Sequence, residues 1–241
     1  MALLHTRTGA YRRHIQETAT HVRRVVSGNF ENNEEALAEI DKSLEPEIIK
    51  LQALGFMANS AAKIAAFVAT KKHVLFAARE GAFLIGDMPV VLHNDKQFGP
   101  YGNIGFAVPG VQIYIPLNRT LTLSFLCSTI ISEWTTKVEE FEQKRRQVAA
   151  FAVAGAPDVA KRASESLPEF EAAVTRSRKV LENVKLGYPI DCDTDNVTFL
   201  NSLQVGFAER YVASGDGDFS LVQRMIKDRQ EFRRGRKLSI N

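Results

Sequence analysis

Asp87 stands as the single carboxylate in an apolar run, AFLIGDMPVVL. In a regular strand Phe83, Ile85 and Asp87 point to one face, and Leu84, Gly86 and Met88 to the other. Asp87 then lies among large apolar side chains, where a carboxylate without partners is costly. There it either recruits donors from elsewhere in the fold or keeps its proton. The competing reading places Asp87 at the strand end, accepting bonds from the backbone around Met88 to Val90 in an Asx-type turn before Pro89.

Two segments carry suitable donors. In NVTFLNSLQVGFAERY, the residues Val197, Asn201, Gln204, Ala208 and Tyr211 share one helical face by three-and-four spacing, with Arg210 beside it. Amides among apolar neighbours point to hydrogen bonds inside the fold, to a site or simply to loop backbone. Near the start, His5, Arg7, Arg12 and Arg13 cluster, and Arg7 offers the planar fork that carboxylates and phosphates favour. The competing and simpler reading is an exposed basic helix start. Asp87, Arg7, Asn201 and Arg210 together would form a buried cluster able to position a water or a metal for hydrolysis, with Gln204 as a further binding group.

Other chemistry-bearing residues are weaker signals. His93 and Asp95 sit at the mouth of a glycine-rich loop, as metal-binding or simply solvated residues. Arg233, Arg234 and Arg236 give a basic tail, 233–241, that offers nucleic acid or a protein an electrostatic handle. Asp191, Asp193 and Asp195 imitate a calcium loop, but Asn196 replaces its glycine and Ser202 its closing glutamate. They read as a turn and helix cap. The glycines at 99, 102 and 105 do not make a dinucleotide fingerprint. His14 and His21 share a helix face without a third ligand. No metal and no cofactor is expected. Cys127 follows an apolar strand and reads as a buried small residue.

The elements that must hold these residues follow from periodicity. Helices are expected over Gly9–Ser27, from Asn33 to Pro46, and from Glu47 to Thr70. Four strands follow: HVLFAA, AFLIGDMPVVL, VQIYI and TLTLSFL, with a hairpin turn at Arg79, Glu80 and Gly81. In the last, Leu121, Leu123 and Phe125 oppose Thr120, Thr122 and Ser124. Two helical arms then form a hairpin insertion over 131–187, with Pro168 restarting the second arm. Thr194 or Asp195 caps a helix through Ala213, and Asp218 caps a last one to about Phe232. The expected class is α+β: one domain over 1–241, with a small antiparallel sheet of about four strands packed by helices from both chain ends.

Composition sets outer bounds. The chain has 241 residues, 45% apolar and 24% charged, and a net charge of +3. Bulk charge therefore selects no partner. Two distant cysteines suit a reducing compartment and a cytoplasmic location. The longest apolar stretch, SAAKIAAFVAT, contains a lysine and reads as too short for a membrane span, so no membrane partner is expected.

The runs FLIGDMPVVLHN, IYIPLNRTLTL and NVTFLNSLQVGFAERYV resemble a bacterial domain-of-unknown-function family, number four thousand two hundred thirty-eight. Asp87, Pro89, Val90 and Val91 match its first motif. Ile115, Pro116 and Leu117 match its second, with Asn118 and Arg119 in place of Ser-Pro. Asn201, Ala208 and Arg210 match its third, and His5 to Tyr11 resembles its arginine-threonine-proline segment, with Gly9 for the proline. The family usually opens with a His-Tyr-Val-Pro segment, which this sequence lacks; a family site built on that histidine would be missing here. The resemblance implies a fold and a polar cluster, and no reaction. A bacterial or phage binding module is the favoured expectation. A hydrolase or nuclease-like enzyme using the Asp-Arg-Asn cluster, and a structural subunit that forms a homo-oligomer, are the alternatives.

Overall fold

The computed structural model describes residues 9–29, 34–96 and 104–229. Its centre is a five-stranded sheet of order β3-β4-β5-β1-β6. The strands are β1 (Lys72–Ala78), β3 (Val91–His93), β4 (Gln112–Pro116), β5 (Leu121–Leu126) and β6 (Ile190–Cys192). A separate antiparallel pair joins β2 (Ile85–Gly86) to β7 (Val212–Ala213). Among the described residues there are seven helices: α1 (Gly9–Asn29), α2 (Glu34–Ser43), α3 (Pro46–Ala69), α4 (Ser128–Ala154), α5 (Pro157–Leu186), α6 (Thr194–Phe207) and α7 (Ser220–Asp228). The molecule is α+β with a long α4–α5 hairpin, as the sequence predicts.

The four expected sheet neighbours are antiparallel, and a fifth strand, β6, lies parallel to β1 with Phe76 opposite Ile190. A parallel strand needs a long crossover, and it follows directly from the α4–α5 hairpin. Too short to read as a strand, Ile190–Cys192 is recruited by the open edge of β1, where Arg79 also ion-pairs with Asp191. Asn118 closes the β4–β5 hairpin: its Oδ1 accepts from the Thr120 and Leu121 amides, both at 2.8 Å.

Several local expectations are corrected. The run AFLIGDMPVVL is two strands, and no hairpin turns at Arg79–Gly81. Instead β1 pairs with β5 and β6, while β2 leaves the main sheet for β7. Pro168 lies inside an unbroken α5. Asp193, ahead of Thr194, caps α6 by accepting from Asn196 N at 2.8 Å, and α6 ends at Phe207. On β5 the polar side is the deeper one: Thr122 and Ser124 are 1% and 0% exposed, and among the described residues their hydroxyls meet no hydrogen-bond partner.

The helix α3 inserts Ile64 and Val68 against Val90, Leu92, Val111 and Ile113. By length and composition it is long and apolar enough to cross a membrane, with 12% of the relevant window buried. The 11-residue run around Lys63 understates it, because helix continues back through Leu51, Leu54 and Phe56. At the opposite end of the sheet Ile130, Ile131 and Trp134 of α4, with Val180 and Val184 of α5, root the hairpin on Val74, Leu126 and Ile190. Its arms pack through Val138, Ala163 and Val174. Arg178 binds Glu142 across them at 2.6 Å. Gly187 ends α5 with φ +77, the left-handed conformation that glycine adopts without a Cβ clash.

Candidate functional site

The amides of α6 act on the backbone of the segment that carries Asp87. Asn201 Nδ2 donates to Ala82 O at 2.9 Å, and Leu84 N donates to Asn201 Oδ1 at 2.7 Å. One turn on, Gly86 N donates to Gln204 Oε1 at 3.0 Å, and Gln204 Nε2 donates to Pro89 O at 3.1 Å. Two side chains three residues apart thus replace a neighbouring strand. Both are buried, at 8% and 2% exposure. Gly86 permits the approach: a Cβ there would lie 3.1 Å from Gln204 O and 3.3 Å from the Ala208 methyl.

Asp87 completes this latch from the other side. It is exposed rather than buried, which corrects the interior placement. The strand breaks before it, so the alternation that would turn its carboxylate inward does not operate. Its Oδ1 accepts from Glu209 N at 2.8 Å and its Oδ2 from Arg210 N at 2.9 Å. The Asp87 amide donates to Tyr211 O at 3.0 Å. Asp87 is therefore a cap for the chain leaving α6, held by backbone 122 and 123 residues away and not by its own turn. The Arg210 guanidinium points elsewhere; its side chain is 70% exposed and its Nε is 3.9 Å from Glu209. The structure brings Asp87, Asn201, Gln204 and the Arg210 backbone together. Arg7, Arg233, Arg234, Arg236 and the basic tail lie outside the described residues.

A second polar group surrounds His93. Its Nε2 is 2.6 Å from Asp95 Oδ1, and its ring meets Phe199 edge-on at 5.0 Å. Gln112 Nε2 donates to Asp95 Oδ2 at 3.2 Å, and Tyr114 OH donates to Gln112 Oε1 at 2.5 Å. Burial, with smaller contributions from Asp95 and Cys192, pushes the Tyr114 phenol up, so it remains a proton donor. The pattern Gln112-x-Tyr114 was the available signal for this chain of bonds, since alternate β residues share a face. Among the described residues no group of three or more His, Cys, Asp or Glu side chains is arranged to hold a metal ion.

Cys127 is the other departure from expectation. It is half-buried at the start of α4, and its thiol is brought down to about 7. Burial opposes this, but the Thr129 hydroxyl and amide, the Gly110 amide and Lys71 outweigh it. Sequence reading missed Lys71, whose burial depends on the meeting of α3 and β1.

No curated protein and no solved structure matches the chain. Four of the residues that carried the sequence resemblance, Asp87, Pro89, Asn201 and Ala208, prove to be parts of one latch between β2, β3 and α6. A family model described as "Protein of unknown function (DUF4238)" matches residues 1–218, and the chain belongs to that family.

Proposed function

We propose that the protein is an interaction module whose α4–α5 arm presents its tip to a protein partner. What supports the reading is the tip itself. From Gln147 to Pro157 there is no charged residue, and Phe151, Val153 and Val159 are 57%, 89% and 46% exposed. A helix of 27 residues extends about 40 Å, so this patch stands well away from the latch. Exposed Lys144, Arg146, Lys161 and Arg162 flank it, against the exposed acids Asp158 and Glu165. The partner surface that fits is an apolar pocket with an acidic rim. Burying the three large side chains supplies roughly 4–8 kcal/mol gross, before association costs. The patch is small, with five alanines among the eleven residues from Gln147 to Pro157, which suits a pocket better than a lipid surface.

The test is a photo-crosslinking residue at Val153 in the native host, with Glu139 on the arm's shaft as control. The expected result is one adduct with another protein. That protein, once purified, should bind wild type and lose at least roughly 30-fold in Kd with Phe151→Asp, the size of an interface hot spot. Labelling no stronger than at Glu139 overturns the reading. An adduct with a second copy replaces it with the structural-subunit reading, and flotation with anionic vesicles that Val153→Asp abolishes replaces it with a membrane. The hydrolase reading has weaker support, because Asn201 and both Asp87 oxygens are engaged by backbone.

A further inference from the structure

We propose that Cys127 is a reactive thiolate that exchanges with small disulfides, with the ammonium of Lys71 and the N-terminus of α4 as its charge partners. The proposal is independent of the arm's reading. Cys127 is the N-cap of α4, where the first amides lack helical partners and the dipole favours negative charge. Its side chain makes no strict capping bond, and the donors that approach the sulfur are the Thr129 hydroxyl and amide and the Gly110 amide.

Lys71 is the second, independent observation. The β1–β5 register pairs Lys72 with Leu126, so one step further sets Lys71 opposite Cys127. Lys71 is 9% exposed, and among the described residues Cys127 is the one group whose charge offsets its burial. A buried ammonium without a counter-charge is costly, and a thiolate across the ladder relieves that cost. On the other flank Gln112 pairs with Leu126, which runs the preceding chain past Cys127 and turns the Gly110 amide toward the sulfur. That amide is fixed in place. Gly110 has φ +81, a Cβ there would sit 2.9 Å from Asn94 Oδ1, and Asn94 Nδ2 holds Pro109 O at 2.9 Å. Thr129 Oγ1, buried and without a strict hydrogen-bond partner among the described residues, lies beside the sulfur. The neighbours from β1, α5 and β6 are apolar: Val74, Val180, Val184 and Ile190. Glu133, one turn along α4, is engaged by Lys96 at 2.7 Å.

The thiol first loses its proton to solvent. The thiolate then attacks one sulfur of R–S–S–R. A new S–S bond forms as the old one breaks, and R–S⁻ leaves with the electron pair beside the Lys71 ammonium. The disulfide is itself the oxidant. Cys192 is 2% exposed, sits in a different core cluster, and burial pushes its thiol up to about 12, so the product is a stable mixed disulfide at the root of α4.

Dithionitrobenzoate and oxidised glutathione are the probes, on native full-length protein from pH 5 to 10. The expected result is one fast thiol with a rate midpoint near 7, absent in Cys127→Ser and retained in Cys192→Ala. Ionisation near 7 rather than 8.5 raises the thiolate fraction about 16-fold at pH 7, while lower basicity costs about 5-fold in nucleophilicity, leaving a gain of roughly threefold. Lys71→Met should move the midpoint upward, and Lys71→Arg should restore it. A midpoint at or above about 8.5, the value of a free thiol, overturns the proposal. So does a midpoint that Lys71→Met leaves unchanged in a protein still folded by circular dichroism, or a mass adduct of glutathione on Cys192 alone.

Discussion

Asn201 and Asp87 illustrate how much a single polar side chain can organise. Asn201 satisfies one buried donor and one buried acceptor of the segment 82–84, and stranding such groups costs about 1–3 kcal/mol each. Asn201→Ala should therefore lower unfolding stability by roughly 2–4 kcal/mol in urea titrations. Asn201→Asp should be worse than Asn201→Ala at neutral pH, because it turns a donor facing Ala82 O into an acceptor. Asp87→Asn keeps one acceptor but sets an NH₂ against a backbone N–H. It should cost roughly 1–2 kcal/mol, measured the same way. Loss of a discovered activity with no loss of stability would instead return Asp87 to a catalytic role.

The strand–helix latch works at the scale of elements because β2 approaches α6 without a side chain between them. Gly86→Ala must push Gln204 O and the Ala208 methyl away by a few tenths of an ångström. The expected cost is about 1–3 kcal/mol, the usual penalty for overpacking. Hydrogen exchange should localise the weakening to the amides of residues 84–87 and 209–213, with β4 and β5 unaffected. The α4–α5 arm behaves differently. Its root belongs to the core and its tip does not, so Val153→Asp should leave the melting temperature within about 2 °C of wild type, as expected for an exposed substitution.

For the whole molecule, the two thiols give stability a pH profile of defined sign. Cys127 has a folded pKa of about 7, below its ordinary 9.0. The unfolded chain thus binds more protons between those values, and stability rises with pH across that window. Cys192 is the reverse: its folded pKa of about 12 lies above 9.0, so its contribution is complete below pH 9 and is lost as pH climbs toward 12. Urea midpoints should therefore peak near pH 9. Cys127→Ser should flatten the rising limb, and Cys192→Ala the falling one.

The sequence alone determined the helix-rich ends, the β-rich centre, the helical hairpin and the family motifs, since each rests on periodicity or turn chemistry within a few residues. It also located Asn201 and Gln204 as buried hydrogen-bonding amides, because their spacing sets them on one helical face. Only the tertiary structure decided what those amides bind, as their partners lie 115–119 residues away. The same holds for the parallel β6, which depends on an open edge at β1, and for Asp87, whose donors come from the end of α6. Lys71 and Cys127 meet for the same physical reason: cross-strand register brings together charges that no local pattern links.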